Sequence, residues 1–75
     1  MPVVVRLQYC VIHMYFDDHN PPHFHIDTPD MGAVMDLRTF EVIEGSVDRR
    51  AEAEARDWAK ANVDRLWGLW EEYSR

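Results

Sequence analysis

The placement of proline most constrains how this chain can fold: all four prolines precede residue 30, and residues 48–73 contain none. Pro21 and Pro22 are consecutive and remove two backbone donors, so no sheet ladder can run through them. With Asp17, Asp18, His19 and Asn20 they form a run of turn formers, which predicts a stiff loop between strands. Before this loop, residues 3–9 and 11–16 are rich in β-branched and aromatic side chains and read as two adjacent strands joined near residues 8–10. After it, alternation resumes over residues 23–27. Thr28-Pro29-Asp30-Met31-Gly32 supplies the next turn, residues 33–37 can return as a strand, and residues 41–43 can add one more.

The period then changes. Gly45 and Ser46 precede the proline-free stretch, with Ser46 the expected N-cap and Asp48 well placed in the first turn. Ala51, Ala55, Trp58, Ala59, Leu66 and Trp70 recur at three-to-four spacing, while Glu52, Lys60 and Asp64 fall on the opposite side, the pattern of an amphipathic helix. One helix is the favoured form, bent or split near Asn62, where a new helix can be capped; Gly68 costs it about 1 kcal/mol relative to alanine. The expectation is a single α+β domain over residues 1–75. A small antiparallel sheet of about four strands occupies a β-rich half (1–45), and the helical half (46–75) lies across one of its faces.

A chain of 75 residues buries only about 60% of its unfolded surface, so stability can depend on a partner, a metal or self-association, including a homo-oligomer. The net charge of −6 argues against direct nucleic-acid binding by the isolated chain. Residues 1–47 hold two basic and seven acidic side chains together with all four histidines, so a site there prefers cations. Cys10 is the only cysteine, sits among apolar residues, and is expected to be a buried, inert thiol of a cytoplasmic protein. No apolar run approaches the length of a membrane span. Trp58, Trp67 and Trp70 with Tyr73 could form a partner surface, but in so small a domain about two of these rings are needed to cover the sheet.

The unusual stretch runs from Asp17 to His25. On a strand His23 and His25 project from one face and Phe24 and Ile26 from the other, which sets two imidazoles side by side. His13 on the preceding strand is a third member if the register brings it across. Three readings stand. His23 and His25, completed by His19, His13 or an aspartate, suit zinc or another divalent transition metal, although extended prolines would hold His19 far from His23 unless the loop folds back or contains a cis proline. The same imidazoles can serve as general base and acid in a small hydrolase or ribonuclease, with only Arg6 and Arg38 available nearby to stabilise a phosphorane. The third reading is structural: the histidines bond to neighbours, and the prolines build a turn that sets strand register.

The run Tyr15-Phe16-Asp17-Asp18-His19-Asn20-Pro21-Pro22-His23-Phe24-His25, followed by Asn62, Leu66, Trp70 and Tyr73, resembles a family of small prokaryotic proteins, the domain of unknown function 4160. The likeness covers nearly the whole chain. Its most specific part, His-Asn-Pro-Pro-His-x-His, falls on His19, Asn20, Pro21, Pro22, His23 and His25, and with Asp18 these are the candidate binding residues; His13 lies outside the pattern. The resemblance implies a cytoplasmic bacterial or archaeal protein, often encoded beside another small domain in an arrangement that looks like a toxin–antitoxin pair. It therefore implies a protein partner encoded nearby, and supplies no catalytic roles. The alanine-rich stretch from Ala51 to Ala61 departs from that likeness.

Overall fold

The computed structural model describes residues 3–15 and 19–73. Five strands, β1 (Val3–Arg6), β2 (Val11–His13), β3 (His23–Asp27), β4 (Gly32–Asp36) and β5 (Val42–Ser46), form an antiparallel meander in chain order, followed by α1 (Arg49–Ala61) and α2 (Val63–Tyr73). The α+β class is as expected, with one strand more. β5 extends through Ser46, so Ser46 is a strand residue, and Asp48 caps α1: its Oδ1 accepts from the Ala51 backbone N–H at 2.9 Å. The first two strands are shorter than their apolar runs. The turn between them closes where Leu7 N–H donates to the Cys10 carbonyl at 2.8 Å.

The favoured single helix is two. Asn62 ends α1 by donating its backbone N–H to the Trp58 and Ala59 carbonyls and its side-chain Nδ2 to the Trp58 carbonyl. Its own carbonyl accepts from Leu66 N–H at 3.1 Å, so the residue that closes one helix also opens the next.

Strand alternation sorts the sheet into two faces. Ile12, Phe24, Ile26 and Met35 are fully buried on the inner face together with Ala33, and Ala51, Ala55 and Ala59 of α1 belong to the same core. These alanines are one helical turn apart and form a flat row, which lets α1 approach the large sheet residues closely. Two side chains from the middle of α1 tie it to the loops at Gln8–Tyr9 and Phe40. Glu54 accepts from Gln8 N–H at 2.9 Å and Tyr9 N–H at 2.8 Å, and Arg56 Nε donates to the Phe40 carbonyl at 2.9 Å. Phe40 has a φ of 60°, a conformation few non-glycine residues adopt, with Lys60 over its ring. Among the tryptophans, Trp70 is buried, while Trp58 and Trp67 are half-buried against the core.

Candidate functional site on the outer face

The opposite face carries the polar and ring side chains. Register sets them in rows: Val11 pairs with Asp27, His13 with His25, His25 with Val34, and His23 with Asp36. His13 therefore stands directly across from His25, the one member of the pair within its reach. The rings form a continuous path. His13 stacks with Tyr15 at a centroid distance of 6.1 Å, Tyr15 meets His25 edge-on at 4.3 Å, His25 meets His23 at 5.2 Å, and His23 meets Trp70 of α2 at 5.2 Å.

The proline loop holds one end of this path. The Asn20–Pro21 bond is cis. The Pro21 carbonyl accepts from His23 Nδ1 at 2.6 Å, and the Pro22 carbonyl accepts from Leu37 N–H at 2.8 Å. A carbonyl can only accept, so the proton of a neutral His23 resides on Nδ1 and its lone pair on Nε2. His23 is buried, at 9% exposure, whereas His25 is half-buried. The two imidazoles lie side by side as the alternation predicts, with His25 the less buried of the two.

The remaining predicted residues divide. His19 and Asn20 are exposed and Pro21 and Pro22 half-buried, while Asp18 lies outside the described residues. Among the described residues no three His, Cys, Asp or Glu side chains gather as metal ligands would. Arg38, one of the two cations considered for a phosphorane, is committed to Asp36: its Nε and Nη2 donate to that carboxylate at 3.3 and 3.1 Å. These bonds, with the backbone N–H groups of Arg38 and Thr39, hold the Asp36 carboxyl below the ordinary aspartate range even though burial opposes ionisation. Cys10 is the buried thiol expected, directed at the Ala51 carbonyl and Glu54; burial first, then the Glu54 charge, pushes its pKa up to about 12.

Asp27 is the residue that the reading of the histidine block passed over. Its Oδ2 lies 2.6 Å from His13 Nδ1, close enough for an ion pair whenever that imidazole is protonated. Its Oδ1 lies over Gly32, 3.1 Å from where a Cβ would stand. The signal was present: Asp27 continues the His23-x-His25 alternation by one more step on the same face. Asp27 lines two depressions of the surface. One, of about 340 Å³, is lined by Arg6, Tyr9, Val11, His13 and Thr28, and the other, of about 300 Å³, by His25, Gly32, Val34, Glu44 and Gly45.

No described helix is long and apolar enough to cross a membrane. A family model described as a domain of unknown function (DUF4160) matches residues 10–71. No curated protein matches the chain, and no solved structure does.

Proposed function

The chain belongs to the DUF4160 family, and from that premise we propose that it is a small binding module acting through a protein partner encoded nearby, as one component of a toxin–antitoxin-like or regulatory two-gene system. The supporting observation is the outer face, where among the described residues Tyr15, His25, Asp27 and Val34 are half-buried and Glu44 is exposed, while Trp70 of α2 lies against His23. Half-buried rings beside carboxylates give a partner both apolar area and directional contacts. Coexpression of the untagged protein with the product of the adjacent gene tests this reading. A stoichiometric complex that survives size-exclusion chromatography is expected, and a monomer that ignores that product counts against it.

The second reading, a small hydrolase or ribonuclease using His23 and His25 with or without a divalent metal such as zinc completed by His19, draws support from the 5.2 Å separation of the two rings. Cleavage of mixed RNA, measured with and without zinc, should then disappear in the His23→Ala, His25→Ala double variant. Equal activity in variant and wild type would identify a contaminant and end this reading.

A further inference from the structure

The two edges of the sheet are finished differently. At β1, Arg65 of α2 donates from Nη2 to the Val4 carbonyl at 3.2 Å, the Val4 side chain is buried, and a bulge between Val3 and Val5 interrupts the pairing. A covering side chain and a bulge both discourage another chain from joining an edge. At β5, Ile43, Glu44, Gly45 and Ser46 are all exposed. This edge is also bulged: Glu44 pairs with Val34 and Val42 with Met35, so Ile43 is the extra residue, and at 49% exposure it is the most open of the large apolar side chains among the described residues.

Glu44 and Gly45, which follow Ile43 along β5, line the 300 Å³ depression of the outer face. Gly32 and Gly45 form its floor. They approach so closely that a Cβ on Gly45, whose φ is +69°, would stand 2.3 Å from the Gly32 carbonyl oxygen. Its lining carries two carboxylates: Glu44, and Asp27, whose Oδ2 lies 2.6 Å from His13 Nδ1 and whose Oδ1 lies over Gly32. Two copies of this edge brought together would set acidic residues near acidic residues, which disfavours self-pairing and favours a basic occupant.

We infer that the β5 edge and the adjoining depression form the docking surface for a basic segment of a protein partner, which lays an apolar side chain on Ile43 and places a lysine or arginine between Asp27 and Glu44. The bulge breaks the regular ladder, so side-chain contacts rather than a long run of backbone bonds hold the segment. This inference rests on the partner reading above and names the chemistry of the partner.

The test uses the full chain and the purified product of the adjacent gene, with affinity measured by titration calorimetry at low and high salt. Ile43→Asp and Glu44→Lys should each weaken the complex about tenfold or more, and salt should weaken the wild-type complex, while Val3→Asp on the β1 edge binds as wild type. Circular dichroism checks that each variant is folded. If Glu44→Lys is not, the neutral and nearly isosteric Glu44→Gln decides in its place, with weaker and less salt-dependent binding expected. A complex indifferent to both β5 substitutions overturns this surface and leaves the partner reading standing. Absence of any complex overturns both. A dimer of this chain alone that Ile43→Asp dissociates assigns the edge to a second copy and overturns the basic partner.

Discussion

The inner and outer faces of the sheet come from the same strands and the same alternation, yet they are held by different physics. On the inner face Phe24, Ile26 and Met35 are fully buried beneath a row of alanines, so shape and volume decide what fits. On the outer face His13, Tyr15 and His25 are half-buried and joined ring to ring, and the carboxylates Asp27 and Asp36 are each tied to a cationic or titratable neighbour. The inner face contributes stability through area removed from water. The outer face contributes little of it and keeps polar groups and rings within reach of another molecule.

Three substitutions probe that contrast. Phe24→Ala removes the largest fully buried side chain of the inner face and should cost about 3–5 kcal/mol in chemical denaturation, enough to threaten folding of so small a domain. A loss below about 1 kcal/mol would mean that the inner face is not the core. Asp36→Asn, at the buried end of the outer face, should cost less, about 1.5–3 kcal/mol, by weakening charge-assisted bonds to Arg38 and Thr39. The pH dependence gives this substitution a signature of its own. Because folding lowers the Asp36 pKa below its reference of 3.8, its contribution is present above that value and is lost as pH falls through the folded-state value. Wild-type stability should therefore drop more steeply than that of Asp36→Asn below about pH 4, and parallel profiles would refute the assignment. His25→Ala, in the open part of the face, should cost only about 0.5–1.5 kcal/mol through its lost ring contacts. A larger cost would show that the outer face is a second core rather than a surface.

The fold was largely readable from the chain, and the failures share a cause. Proline placement located the loop between β2 and β3, and alternation assigned Phe24 and Ile26 to one side and His23 and His25 to the other. Ser46 is a good cap in isolation, but pairing of Gly32 with Ser46 extends β5 and passes the capping role to Asp48. Asn62 was visible as a candidate break. That it ends α1 outright follows from hydrogen bonds on both sides of it, while helical spacing continues uninterrupted through the sequence.

Local pattern determined what a residue could do with its immediate neighbours: the alternation of His23, His25 and Asp27, the rigid bend before them, and the alanine row at helical spacing. Tertiary structure decided everything that needed a partner distant along the chain. Strand register brought His13 to Asp27, the return of α2 set Trp70 on His23, and Arg65 closed the β1 edge while β5 stayed open. The reason is that alternation fixes only the side of a strand on which a side chain stands. What it meets there depends on register and on the packing of elements dozens of residues apart, which no local spacing encodes.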